Sequence, residues 1–397
     1  MSALTNHAKP AIAIIGGGPS GLVLLLTLLK RGANATLYER DTDKDARAHL
    51  GGMLDIIWES GQRALRENGL EEAFIANSRS GDGEETRICG KEGVPLYHCM
   101  DVIPKDGNLE NTRPEIDRHV LRDLLLGAVP AGFVRWGHAL VSARPLNDGQ
   151  HNLTFSNGLV TITEVLVGAD GANSRVRPLL SPATPLYHGI TGAEVSLTPD
   201  VASAPENRDV SNAMGMGTCY ARQDGKIFIA QRNTSGRIRA YLWHRATIDW
   251  ALPEDPKEAQ QVLLKIYQDW TPGYRKFVEL GDEHAMYTRP LLHLPIGHRW
   301  PHKPGVTIVG DVAHLMSPFA GAGANLAMLD GLELGLVLAD AVLGTFGYEE
   351  REKAIAAWEE RMLSRAEKFA TITARNLETF RLMNPTHGFM VILSKRI

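Results

Sequence analysis

Hydrophobic and polar positions first fall into a regular pattern at residues 11–40, AIAIIGGGPSGLVLLLTLLKRGANATLYER. Ala11 to Ile15 is a short β-branched run, suited to a strand buried on both faces. After a glycine cluster, Leu22 to Arg31 reads as an apolar helix stopped by Gly32, and Ala35 to Tyr38 as a second strand ending in Glu39. Two later apolar runs, EVLVGADGANSRVR at 164–177 and GVTIVGDVAHLMSPFAGAGANLAMLDGLELGLVLAD at 305–340, repeat the sequence of strand, acid and glycine. The second continues into a long helix of small and apolar residues. Between them, MGMGTCYARQ, GKIFIAQ and RIRAYLWH alternate as antiparallel strands do, with short Gly- and Asp-containing turns. Ile355, Trp358, Met362, Phe369 and Ile372 then recur at helical spacing, which predicts a helix over 348–382, ended by Asn384-Pro385.

Gly16, Gly18 and Gly21 have the G-x-G-x-x-G spacing, and each has a physical task. The first allows a tight turn and the second lets a pyrophosphate approach the backbone. The third lets helix and strand pack closely, while the helix N-terminus offers N–H groups to the anion. Glu39, at the end of the second strand, stands where a carboxylate accepts hydrogen bonds from a ribose diol. The bland alternative is a structural strand–helix turn with a solvated Glu39. The pattern points to an adenine dinucleotide and leaves FAD and NAD open.

Composition narrows the class. The 397 residues allow two or three domains, and 44% hydrophobic with 22% charged residues is the balance of a soluble globular protein. With 42 Lys and Arg against 46 Asp and Glu, the net charge of −4 gives no reason to expect nucleic acid or a membrane surface as partner. Cys89, Cys99 and Cys219 are an odd set without metal-ligand spacing, so neither a disulfide framework nor a metal site is expected. No targeting or membrane-spanning run is evident, and a cytoplasmic monomer is the expectation.

The three nucleotide-type stretches resemble, in order and rough spacing, the para-hydroxybenzoate-hydroxylase-like family of FAD-dependent aromatic monooxygenases. Within it, Tyr38-Glu39-Arg40-Asp41, ARAHLGGMLDI, RPEIDRHVLRDLLL and GDVAHLMSPFAGAGAN are most similar to the tetracycline-inactivating flavin monooxygenases. The resemblance implies an α/β (α+β) fold: a Rossmann-like FAD-binding domain, discontinuous over 1–180 and 290–343, with a substrate-binding β-sheet domain inserted at 185–287 and a bridging helix at 348–382.

It also implies roles. Gly16, Gly18, Gly21, Glu39 and Arg40 would hold the ADP half of FAD, and Arg47 and Arg118 would flank the flavin and its phosphates. Asp311 would accept from a ribityl hydroxyl. Pro318 and Gly321 would lie near the ring, and the helix begun by Gly323, Ala324 and Asn325 would point at its N1–C2=O edge, stabilising the reduced anion. Asp170 fits the family's second fingerprint, or is only a turn acid. His314 reads as packing under the turn, and Asp117 as the N-cap of a helix from Arg118 to Leu126.

The implied reaction is hydride transfer from NADPH, bound transiently, to the flavin, oxygen addition at C4a to give a hydroperoxide, and oxygen transfer to an electron-rich carbon. No side-chain nucleophile or metal is needed. The expected substrate is a phenolic or enolic polycycle, with tetracyclines the sharpest candidate. The tetracycline-inactivating relatives carry a glutamine and a histidine where this chain has Gly192 and Arg239, so a biosynthetic or detoxifying aromatic hydroxylase stands beside that reading. A reductase of the same fold is the other alternative, whereas the halogenase Trp-x-Trp motif is absent. Gly192, Met214, Met216, Arg239 and Phe319 are the candidate substrate contacts.

Overall fold

The computed structural model describes residues 11–46, 51–79, 84–101, 110, 112–344 and 346–382. Fully apolar strands that bury both faces build its first layer. Strands β1 (Ile12–Ile15), β2 (Thr36–Tyr38), β7 (Val134–Arg135), β11 (Val165–Gly168) and β17 (Val306–Ile308) form a parallel sheet in the order β17-β11-β1-β2-β7. All residues of β1, β11 and β17 are buried, the signature of strands covered on two sides. The Pro19–Lys30 helix covers this sheet and packs closely on the Gly323–Leu343 helix. The fit depends on missing side chains: a Cβ on Gly331 would lie 2.3 Å from the carbonyl oxygen of Ser20. Both elements match the sequence expectation, although the first helix begins at Pro19, whose fixed φ suits a first helical turn.

A second sheet has seven strands in the order β16-β12-β15-β14-β13-β4-β5. They are β4 (Glu84–Cys89), β5 (Pro95–Asp101), β12 (Leu186–Leu197), β13 (Thr218–Gln223), β14 (Lys226–Arg232), β15 (Ile238–Arg245) and β16 (Tyr287–His293). This corrects the division drawn from sequence. Residues 84–101, placed there in the first domain, pair through β4 with β13 in parallel, and β16 straddles the boundary set between 287 and 290. A chain that leaves one sheet to complete another shows no change in composition at the crossing.

Alternation gives this second sheet two different faces. Its back carries Ala193, Val195, Leu197, Phe228, Ala230, Ala240 and Leu242, covered by the Pro256–Ile266 and Pro272–Glu279 helices to form a second core. Its front carries Glu194, Tyr241, Arg239, Gln231, Trp243 and Tyr220, and looks toward the first unit. Two smaller sheets complete the fold: β3 (Met53–Asp55) with β6 (Glu115–Asp117), and the meander β8 (Leu140–Pro145), β9 (His151–Phe155) and β10 (Val160–Thr163).

The Tyr348–Leu382 helix spans both units. Glu359 meets Thr307 and Trp300 on the first, whereas Arg222 on β13 donates to the carbonyl of Thr379 and Leu377 joins the apolar cluster on the front of the large sheet. Among the described residues, no helix is long and apolar enough to cross a membrane.

Candidate cofactor and substrate site

The glycine turn is built as its spacing predicts. Gly16 has φ +109°, and a Cβ there would lie 2.3 Å from the carbonyl oxygen of Ala169. A Cβ on Gly21 would lie 2.1 Å from the carbonyl oxygen of Gly16, so strand and helix touch at this residue. Gly18 differs: a Cβ there would meet no atom of the described residues within 4 Å. Among the described residues nothing requires glycine at 18, and the open space in front of it is what an approaching diphosphate needs. Glu39 is buried at the end of β2, its Oε2 accepting the Gly17 N–H at 2.5 Å and its Oε1 the Asp41 N–H at 3.0 Å. Arg40 beside it is exposed. Arg47 lies outside the described residues.

At the same end of the sheet, two strands from β1, β17 runs into Gly310 (φ +62°) and Asp311, whose side chain is exposed at the start of a short helical turn. Arg177, which the sequence reading missed, braces that turn from below: its Nε donates to the Val312 carbonyl at 2.8 Å and its Nη2 to the Ala172 carbonyl at 2.6 Å. His314 is packed under the turn, as expected, but as a buried ion pair with Asp330 at 2.6 Å. Burial opposes a charge on His314, yet the neighbouring Asp330 carboxylate raises its pKa above the usual histidine value. Arg365 and the Gly310 N–H also donate to Asp330, so the Asp311 turn is tied to both long C-terminal helices.

Pro318, exposed, and Phe319 precede Gly321, which has φ +61°. Ala322 is the N-cap of the helix that starts at Gly323. Asn325 in its first turn accepts the Ile57 N–H at 2.8 Å and donates to the Asp55 carbonyl at 2.7 Å, locking β3 against the helix start. Ala324 is half-buried on the same turn. The Tyr348–Leu382 helix holds this loop from behind, through Thr373 on the Ser317 carbonyl and Asn376 on the Phe319 carbonyl.

Arg118 stands across the gap from the front of the large sheet. Its backbone N–H donates to the Gly52 carbonyl, and a Cβ on Gly51 (φ +95°) would lie 2.5 Å from its Cδ. A Cβ on Gly52 would lie 2.8 Å from Tyr241 Oη and 2.9 Å from Gln231 Oε1, so floor and roof approach here. Asp117, expected to cap the following helix, makes no such bond. Its carboxylate instead accepts from Asn233 Nδ2 and from the N–H and hydroxyl of Thr234. Donors from the β14–β15 turn, one of them a backbone N–H, outcompete the helix's own N–H groups, and Asp117 becomes a tie between the two units.

Asp170 is held within its own loop. One oxygen accepts from the Ser174 hydroxyl at 2.5 Å and the other from the Arg175 N–H at 2.7 Å, so the carboxyl serves its own turn. Burial pushes its pKa upward against these bonds.

The roof is a row of aromatic rings beside a charge cluster. Tyr241 stacks on Trp243 at 5.3 Å between centroids, and Trp243 meets Phe319 edge-on at 5.6 Å. Glu194, only 3% exposed, pairs with Arg239 at 2.5 Å and Arg289 at 2.8 Å. Two guanidiniums against one carboxylate leave a positive surplus, and Arg118 adds to it around Tyr241. Glu194, Arg289 and Tyr241 were not foreseen, because only the register of three strands brings them together. Gly192 is on β12, where a Cβ would lie 2.0 Å from the Leu242 carbonyl oxygen; it permits close strand pairing and offers no side chain. Met214 is corrected to core: it is 1% exposed, in the cluster behind the sheet. Met216 is 65% exposed, and its backbone joins Glu85 and Arg79 at the rim.

A parallel nucleotide-type sheet, a glycine turn with one open position, and an aromatic, arginine-bearing sheet opposite define a flavoprotein of the monooxygenase class. Residues 9–369 match the FAD binding domain family, and the chain belongs to it. It is an FAD-dependent monooxygenase of the para-hydroxybenzoate-hydroxylase-like group. Monooxygenase asqM of Emericella nidulans is 29% identical over 92% of this chain and 94% of its own, and monooxygenase penA of Penicillium thymicola is 29% identical over 94% and 96%. Among solved structures, Klebsiella pneumoniae HpxO complexed with FAD and uric acid superposes with a TM-score of 0.77 at 17% identity, covering 100% of this chain and 94% of that one. The tetracycline destructase Tet(51) gives 0.70 at 18%, covering 98% and 95%. These two establish the fold.

Proposed function

We propose that this monooxygenase hydroxylates an electron-rich phenolic or enolic polycycle carrying an acidic hydroxyl, with NADPH as transient reductant. The observation that carries this reading is the aromatic row Tyr241–Trp243–Phe319 set beside the Glu194–Arg239–Arg289 cluster. A flat ring system packs on the first, and an ionised oxygen faces the positive surplus of the second. Ionising a phenol or enol enriches the carbon that is to be oxygenated.

The residues on the cofactor side fit FAD: the open face of Gly18 for the diphosphate, Glu39 for the adenosine ribose, Asp311 for the ribityl chain, and the Gly323 helix start for the ring edge. FAD, when bound there, supplies two-electron reduction and oxygen activation. The protein's own contribution is to orient both partners and keep water out, with Phe319 and Trp243 closing the gap.

Tetracyclines are the first substrate to try, in line with the resemblance of the GDVAHLMSPFAGAGAN stretch to the tetracycline-inactivating enzymes. The test is NADPH oxidation by the flavin-loaded protein with and without a tetracycline, against a panel of other phenolic polycycles and neutral polycyclic ethers. Stimulation by acidic phenols or enols, with labelled oxygen appearing in the product, is the expected result. Stimulation by the neutral ethers alone would overturn the assignment.

A further inference from the structure

Strand register sets Glu115 on β6 directly across from Asp55 on β3, so two carboxylates leave adjacent strands side by side. Glu115 is 6% exposed and pinned between floor and roof: Arg79 Nη1 donates to its Oε2 at 3.3 Å and the Thr218 hydroxyl to its Oε1 at 3.3 Å. Asp55, on the same face, is only half-buried. Its Oδ2 is the atom nearest to where a Cβ on Gly321 would stand, at 3.7 Å. The pair thus runs from the protein interior to the turn assigned to the ring end of the cofactor.

Two like charges this close, one of them buried, do not both persist. Burial first, and then the Asp55 charge, push the Glu115 carboxyl up to about 7, against the opposing pull of Arg79 and Thr218. Arg79 is the cation facing the pair, and Arg232 stands beyond it toward Glu85. A monooxygenase consumes one proton per turnover, since O2, NADPH, a proton and substrate become hydroxylated product, water and NADP+.

We propose that Asp55 and Glu115 hold one proton between them, Glu115 storing it and Asp55 passing it to the ring end of the cleft. In the step, the Glu115 O–H bond breaks as an O–H bond forms on Asp55. Asp55 then gives that proton to the oxygen that leaves as water, and solvent returns a proton to the doubly charged pair. The inference rests on the FAD reading of the Gly321 turn.

The test is isotope-edited infrared titration of the carboxyl groups from about pH 5 to about pH 9, in flavin-free and flavin-loaded wild type, Glu115→Gln and Asp55→Asn. A protonated carboxyl that titrates near neutrality in wild type, disappears in Glu115→Gln and titrates at lower pH in Asp55→Asn is expected. The kcat pH profile should lose its neutral inflection in Glu115→Gln, with KM unchanged. No protonated carboxyl in wild type at neutral pH would overturn the pair. An unaltered kcat profile in Glu115→Gln would overturn delivery. Should Glu115→Gln fail to fold, the wild-type and Asp55→Asn titrations still decide. A wild type that takes up no FAD would fail the cofactor reading instead, and the flavin-free titration would stand apart from it.

Discussion

At the glycine turn this protein shapes its site with backbone, and on the facing sheet it does so with side chains. Gly16 and Gly21 matter because any side chain there would overlap carbonyl oxygens 2.3 and 2.1 Å away. The roof has the opposite construction: its backbone is an ordinary antiparallel ladder, and its character comes from Glu194, Arg239, Arg289, Tyr241 and Trp243. A site made of backbone tolerates one ligand shape. A site made of side chains on a fixed ladder can change its ligand by single substitutions and leave the fold alone. Under the proposed function this divides the labour, with the floor holding the cofactor and the roof choosing the substrate.

The division is broken most severely by Gly16→Ala. The substitution combines a positive φ with a backbone overlap, so a loss of more than about 3 kcal/mol and purification without flavin are expected. Thermal unfolding of the flavin-free protein checks it; an unchanged midpoint would show that the turn is not the rigid floor described here.

Arg239→Met probes the roof. It leaves Glu194 buried with Arg289 as its remaining ion-pair partner at 2.8 Å, and a destabilisation of about 2–4 kcal/mol follows for a half-broken buried pair. Flavin content should stay full while KM rises. A variant that loses flavin and keeps its KM would reverse the assignment of floor and roof.

The helix that joins the two regions carries its own pH dependence. His302 lies between Glu352 at 3.3 Å and Glu359 at 2.8 Å, which together raise its pKa to about 9. Because the folded value exceeds the unfolded one, the stabilisation is complete below about pH 6.5 and is lost as pH rises through about 9. Discounted for partial exposure, the loss is about 2 kcal/mol. Chemical unfolding followed from about pH 6 to about pH 10 should show this slope in wild type and a flatter one in His302→Asn.

The same contrast explains what could be read in the chain before folding. The floor was legible because local spacing writes it: three glycines, a helix and Glu39 lie within two dozen residues. Asp311 and the Gly321 turn were legible for the same reason. Glu194 and Arg239 are 45 residues apart and meet only through the register of β12 with β15. Asp117 was misread because its competing donors, Asn233 and Thr234, arrive from more than a hundred residues away. Met214 was misjudged because exposure near a helix end depends on what is folded over it, here the back of the large sheet.

Gly18→Ala produces the smallest change in the protein alone and sharpens the comparison most. Glycine at 16 and 21 is demanded by the protein, whereas at 18 a methyl group would meet none of the described residues. The flavin-free variant should therefore unfold within about 0.5 kcal/mol of wild type, as for a surface substitution without strain. The diphosphate needs that same space, so FAD affinity should fall at least about tenfold, roughly 1.4 kcal/mol. Calorimetric titration of FAD into both proteins reads the difference directly. Equal affinity would mean that the cofactor does not press on Gly18, and the backbone cradle would have to be sought along the Asp311 turn instead.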